Sequence, residues 1–109
     1  NNVPKVGQDL EVLVTWMNAK PLHSRTKVIV KHTTNECMAM VKELKYKVDI
    51  NTLHRIEDIE KLEMNDIGRI SLRTSKPLFY DAYKRNRQTG SLIIIDEQTN
   101  ETIGAGMII

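Results

Sequence analysis

The side chains best suited to nucleophilic or metal chemistry in this 109-residue sequence are one cysteine and three histidines. Cys37 alternates with Ala39 and Val41 in a stretch with strand periodicity, where a thiol packs as a small buried hydrophobe. A reactive thiolate requires a basic, accessible setting instead. The histidines are His23 and His54, in predicted loops, and His32. Their spacing matches no metal-ligand signature, and we interpret them as scattered surface residues, so the sequence predicts neither a catalytic thiol nor a metal site.

Acid–base catalysis and nucleotide binding also lack their usual sequence signals. The carboxylates Glu57, Asp58 and Glu60 form a charged cluster without the apolar surroundings that adapt a carboxyl group to proton transfer. A phosphate-binding loop needs a glycine-rich turn followed by lysine and a hydroxyl residue. None of the glycines, at positions 7, 68, 90, 104 and 106, precedes a lysine. We therefore expect no catalytic residue and no cofactor-binding residue in this chain.

Two basic stretches, Lys42–Lys47 and Lys84–Arg87, contain positively charged side chains that could bind the phosphates of a nucleic acid. In the first stretch Glu43 interrupts the positive charge, and strand alternation places its lysines on one solvated face. We therefore predict that nucleic acid is not a partner. The net charge of +2 gives no independent reason to expect one.

Arg85 and Arg87 flank Asn86, and both are arginine where lysine would serve solubility equally well. An arginine offers five donors in a planar fork that matches carboxylates or a row of carbonyls. Two interpretations stay open: the three residues contact another domain, or they belong to an ordinary exposed loop.

Length and composition limit the class of protein. A chain of 109 residues is the size of one domain and can bury a core without disulfides. The single cysteine excludes an internal disulfide and is typical of a reducing, cytoplasmic location. No apolar run is long enough to span a bilayer and no signal peptide opens the sequence, so we expect no membrane partner. The polar residues 1–8 are predicted to form a linker that leads into a single domain at residues 9–109.

The elements that position these side chains are predicted to be strands. Residues 9–17 alternate with a period of two, and one face is apolar throughout: Leu10, Val12, Val14 and Trp16. A second strand, Arg25–His32, directs Val28 and Val30 inward. A fourth strand, Arg69–Thr74, is predicted to end before Pro77, and a short strand, Leu78–Tyr83, to follow.

The third strand, Glu36–Asp49, changes phase along its length. Its apolar residues occupy odd positions up to Val41 and even positions from Leu44. Because such a switch requires one extra residue, we predict a β-bulge near Lys42 and Glu43. The following segment, residues 51–61, has apolar residues at helical spacing but is too short for a helix, and we predict irregular chain with at most one helical turn.

The last quarter of the chain predicts a β-hairpin. Two β-branched apolar runs, Ser91–Ile95 and Ile103–Ile109, flank a short polar connection. Both runs are apolar on both faces, and Gly104 and Gly106 share one face of the second run. Glycines in this arrangement indicate that a backbone or a large side chain packs closely against the strand. The hairpin is therefore predicted to seal a small barrel or sandwich.

Strands at this spacing indicate an all-β fold, either a barrel or a sandwich. Leu13, Ile29 and one face of the final hairpin then place more apolar side chains on the outside than an isolated monomer needs. Such surfaces usually contact a partner.

The closing residues also carry a family resemblance. Arg85–Gly90 reads Arg-Asn-Arg-Gln-Thr-Gly, and an apolar strand, Asp96, a Thr-Asn turn and Gly-Ala-Gly-Met-Ile follow up to Ile108. Two further blocks are Tyr46–Leu53 and Leu62–Ile70. Together they resemble the large, GTPase subunit of bacterial sulfate adenylyltransferase, in the superfamily of elongation factor Tu.

The resemblance implies a closed antiparallel β-barrel of about six strands, like the third domain of elongation factor Tu. It implies that the barrel is structural, with GTP and magnesium bound in a GTPase domain upstream. The expected partners are that GTPase domain, a middle β-barrel and a small subunit that handles ATP. The expected activity of the whole enzyme is GTP-coupled formation of adenosine 5′-phosphosulfate from ATP and sulfate. The alternative is a translation-factor barrel that binds transfer RNA.

Overall fold

Strands account for the regular structure of the computed structural model, which describes residues 5–57, 59–80 and 90–109. In chain order they are β1 Lys5–Trp16, β2 Leu22–His23, β3 Lys27–His32, β4 Asn35–Val48, β5 Arg55–Ile56, β6 Lys61–Leu62, β7 Ile67–Tyr80, β8 Ser91–Ile95 and β9 Thr102–Ile108. No helix occurs among these residues, so none of them forms a helix long and apolar enough to cross a membrane.

Six of the strands close into an antiparallel barrel. Hydrogen bonding follows the order β3-β8-β9-β1-β7-β4, and β4 then pairs with β3 to complete the circle. β5 adds to the end of β4, and β2 pairs with β6 as a separate two-stranded ribbon. The predicted barrel is therefore confirmed. The β2–β6 ribbon was not predicted.

β1 pairs with β7 on one side and β9 on the other, and its inner face contributes to the core. Its predicted inward residues, Leu10, Val12, Val14 and Trp16, are all buried. Val28 and Val30 of β3 face them from the opposite side of the barrel and are also buried. The strand starts at Lys5, earlier than the predicted start at Asp9.

The predicted bulge in β4 is confirmed. The register against β7 shifts between Val41 and Glu43, at the position where the apolar pattern changes phase. A second shift, between Leu44 and Tyr46, was not predicted. Bulges bend a strand and increase its local twist, which helps a strand to follow the curvature of a closed barrel.

The predicted break at Pro77 is wrong, because β7 continues through it to Tyr80 and absorbs the short strand expected after Leu78. Gly7 pairs with Leu78 and Asp9 pairs with Arg73, so a single residue of β1, Gln8, lies opposite residues 74–77 of β7. The Thr74 hydroxyl lies 3.2 Å from the Gln8 carbonyl oxygen and 2.8 Å from that of Lys76. Pro77 thus falls inside a bulge, where the ladder does not need its missing N–H.

The closing hairpin has the predicted place and packing. β8 pairs with β3, β9 pairs with β1, and the hairpin thereby seals the barrel. A Cβ atom built on Gly104 would lie 3.4 Å from Trp16, and one built on Gly106 would collide with Val12. A register shift between Ile94 and Ile95 makes room for Ile103, which turns inward.

Candidate interaction surface

An apolar surface covers the outside of the barrel across five neighbouring strands. We call it the apolar wall and define it as Leu13, Ile29, Met38, Ile93, Ile95 and Met107. The pairing makes it continuous, since Met107 lies opposite Leu13, Ile95 opposite Ile29, and Ile29 opposite Met38. Leu13 and Ile29 are thus on the outer face, each half-buried by its neighbours.

Part of the apolar wall is concave. Leu13, Ile93, Met107 and the small Ala105 line part of a shallow groove of about 500 Å³. Ile93 remains 40% exposed and Met107 38%, so apolar area is available to a partner. The residues come from strands distant in sequence, which is why the sequence indicated only some of them.

Positive charge borders this wall on β3. Lys27 and Lys31 flank Ile29 in the strand and are exposed. Neither forms an ion pair with any residue that the structure describes. A partner that covers the wall would therefore gain by presenting carboxylates at this edge.

The adjoining part of the barrel surface is charged and internally paired. Arg69 Nε donates a hydrogen bond of 3.0 Å to Glu11, and the Ser71 hydroxyl donates to the other oxygen of the same carboxylate. Partial burial alone would raise the pKa of Glu11, but these two hydrogen bonds prevail and hold that pKa below its ordinary value. Asp9 accepts from Arg73 at 2.7 Å and from Lys42 at 3.2 Å, which lowers its pKa.

Every lysine of the first basic stretch has a carboxylate partner. Besides Lys42 with Asp9, Lys45 lies 3.5 Å from Glu43 and Lys47 lies 3.7 Å from Asp66. Two of the three partners come from other strands or turns, so the sequence could not show them. The paired charge weakens the case for a nucleic-acid surface on β4.

The other side chains singled out in the sequence lie apart from one another in the described parts of the chain. Cys37 is buried, as predicted. Two histidines differ from the prediction: His32 is buried, and the exposed His23 belongs to β2 rather than to a loop. His54 is exposed and lies outside the strands, as predicted. No group of metal-ligating side chains forms among the described residues. Glu57 and Glu60 are exposed. Arg85, Asn86, Arg87 and Asp58 lie outside the described residues.

Comparison with known proteins finds relatives that match this chain over nearly its whole length. The chain is 43% identical over 108 residues to "Bifunctional enzyme CysN/CysC" of Rhodopirellula baltica, which covers 99% of this chain and 16% of the relative. It is 43% identical to the Mycobacterium tuberculosis protein of the same name, over 100% of this chain and 18% of that protein. It is 38% identical to "Sulfate adenylyltransferase subunit 1" of Bacteroides thetaiotaomicron, over 100% of this chain and 24% of that protein. The chain thus spans less than a quarter of these relatives.

Solved structures show the same fold. Sup35 complexed with GDP superposes with a TM-score of 0.86 over 97% of this chain and 26% of that chain, at 12% sequence identity. Residues 9–109 match the family described as GTP-eEF1A C-terminal domain-like. The chain therefore belongs to the GTP-eEF1A C-terminal domain-like family.

Proposed function

We propose that this chain is the C-terminal β-barrel of the GTPase subunit of a sulfate adenylyltransferase. One observation carries the proposal: the similarity of 38–43% identity extends over the whole chain, and the relatives bear the names sulfate adenylyltransferase subunit 1 and CysN/CysC. Fold alone would not suffice, since such barrels serve unrelated functions.

The complete enzyme would couple GTP hydrolysis to the formation of adenosine 5′-phosphosulfate and pyrophosphate from ATP and sulfate, in the cytoplasm. GTP and magnesium would bind in a GTPase domain upstream of this chain, and ATP in a separate small subunit. Residues 1–8 would lead from a preceding barrel into the domain at residues 9–109.

The barrel's contribution would be structural. The apolar wall would pack against the preceding domains of the same polypeptide, because covering Leu13, Ile29 and Ile93 removes apolar area from water. Lys27 and Lys31 would meet carboxylates at the edge of that contact. In this position the barrel would hold the GTPase domain and transmit its nucleotide state.

The activity is tested with the full-length protein that contains this chain, mixed with its small subunit. We expect pyrophosphate release from ATP that depends on sulfate and increases with GTP. Sulfate-independent release, or none at all, would contradict the assignment. Tight, strongly salt-dependent binding of transfer RNA would favour the translation-factor alternative.

The structural role is tested by charging the apolar wall. Ile93→Asp in the full-length protein should lower GTP-stimulated adenylylation and expose the interdomain connection to limited proteolysis. Gln98→Asp adds the same charge to the exposed β8–β9 turn and serves as the control. If both variants behave like wild type, the wall is not an interdomain contact.

A further inference from the structure

The methionines of this chain are all on its surface. The sequence has five, at positions 17, 38, 40, 64 and 107, and each of these side chains is exposed. None of them is among the buried residues of the barrel core. A thioether is soft and adaptable, and it is also open to oxidation when it is exposed. The fold therefore keeps its oxidisable thioethers outside the core.

Three of these methionines lie at or beside the apolar wall. Met38 and Met107 belong to the wall and are each 38% exposed, and Met40 is the next outward residue of β4, at 39%. Ala39, between the two methionines of β4, is buried, as strand alternation requires. The wall runs over β4, β3, β8, β9 and β1 in that order. Thioethers thus stand at its β4 edge and next to its β1 edge.

The two methionines of β4 line the same groove, which has a volume of about 440 Å³. A water molecule occupies about 30 Å³ in the liquid, so the groove is roomy enough for a small hydroperoxide. Lys27 lines the groove as well and pairs with Met40 in the β3–β4 ladder. Its ammonium group offers N–H donors to an oxygen atom that leaves with negative charge.

Oxidation would change the polarity of the wall and leave the core intact. A lone pair of the methionine sulfur attacks the hydroxyl oxygen of a hydroperoxide, so that an S–O bond forms and the O–O bond breaks. The leaving oxygen takes up the hydroxyl proton, and the products are methionine sulfoxide and water or an alcohol. Sulfur is oxidised by two electrons and the peroxide is reduced. The sulfoxide is polar and chiral, and it disrupts contacts that a thioether makes.

We propose that Met38, Met40 and Met107 are sulfoxidation sites through which a hydroperoxide releases the apolar wall from its contact. This inference rests on the proposed function, in which the wall packs against the preceding domains of the same polypeptide. Contacts between domains of one chain resemble transient interfaces, so they open and close. A sulfoxide formed in the open state opposes reclosure, because a polar group without a hydrogen-bond partner is costly to bury.

The test uses the full-length protein treated with hydrogen peroxide, and peptide mass spectrometry locates each added oxygen atom. We expect sulfoxide at all three positions, together with roughly tenfold faster cleavage of the interdomain connection in limited proteolysis. GTP-stimulated adenylylation with the small subunit should fall in parallel. Methionine sulfoxide reductases should reverse both changes, whereas a thiol reductant alone, which reverses cysteine oxidation, should not.

Leucine variants separate the three sites from the other methionines. Met38→Leu, Met40→Leu and Met107→Leu combined keep the apolar volume and remove the sulfur atoms. Peroxide should then change neither the cleavage rate nor the adenylylation of this variant relative to the untreated variant. Met17→Leu with Met64→Leu is the control, because these two exposed methionines lie outside the wall. The control should remain as sensitive to peroxide as wild type.

The outcomes distinguish this proposal from the proposed function. If untreated wild type releases pyrophosphate in a sulfate-dependent reaction and peroxide alters neither cleavage nor adenylylation, the oxidation proposal is overturned and the proposed function stands. A triple leucine variant as sensitive as wild type overturns the oxidation proposal in the same way. If the untreated protein shows no sulfate-dependent pyrophosphate release with its small subunit, both proposals are overturned.

Discussion

The backbone of Gly106 in β9 packs directly against the side chain of Val12 in β1, so closely that a Cβ atom at position 106 would collide with Val12 Cγ1. Gly106→Ala should therefore destabilise the barrel by about 1–3 kcal/mol through overpacking. Gly104→Ala is the matched control, because its Cβ would meet its nearest neighbours, Thr15 O and Trp16, at 3.4 Å. Urea unfolding of the two variants checks the difference. Equal stability of both would show that the β1–β9 contact can relax.

Trp16 anchors the end of the core and is 2% exposed, while its indole N–H donates to the Lys20 carbonyl at 2.9 Å. Trp16→Ala should cost about 3–5 kcal/mol of unfolding free energy, because it leaves a large cavity and an unpaired carbonyl. Met17→Ala, at the next and exposed position, should change stability by less than about 0.5 kcal/mol. A loss below roughly 1 kcal/mol for Trp16→Ala in chemical denaturation would contradict the packing described above.

The Glu11 carboxylate should make stability depend on pH. Its pKa in the fold lies below the ordinary 4.5, so its contribution is complete above that value and is lost as the pH falls through the folded-state pKa. Glu11→Gln should cost less than about 1 kcal/mol at pH 7, since the side chains of Arg69 and Glu11 are 32% and 36% exposed. The difference from wild type should shrink below pH 4.5.

Urea titrations of wild type and Glu11→Gln at a series of pH values measure this effect. Glu97→Gln is the control, because Glu97 is exposed and forms no ion pair with a described residue. A wild-type advantage that grows on acidification would have the wrong sign for a carboxylate with a lowered pKa.

Arg85 and Arg87 remain a prediction from the sequence, in which this pair docks the barrel onto another part of the enzyme. Replacing both by lysine keeps the charge but removes the planar fork. In the full-length heteromer, Arg85→Lys with Arg87→Lys should reduce GTP-stimulated adenylylation, while the melting temperature of the barrel stays unchanged. Wild-type activity in this double variant would identify the pair as ordinary surface.

The sequence predicted those parts of the fold that depend on near neighbours along the chain. The period-two pattern of β1 identified its inward face, and the change of phase near Lys42 identified a bulge. Gly104 and Gly106 indicated that another part of the chain packs closely against β9, although they did not identify it. Each of these signals is local, because alternation and turn chemistry act over a few residues.

Other features were decided only by the tertiary structure. Lys42 on β4 pairs with Asp9 on β1 across the intervening strand β7, which turns a basic stretch into paired charge. Pro77 is carried inside β7 because a bulge opposite Gln8 removes the need for its N–H. Leu53 and Ile56, which a helical pattern would have placed on one buried face, stand in solvent instead. In each case the deciding partner, or its absence, is set by how strands distant in sequence pair, and no local pattern encodes that pairing.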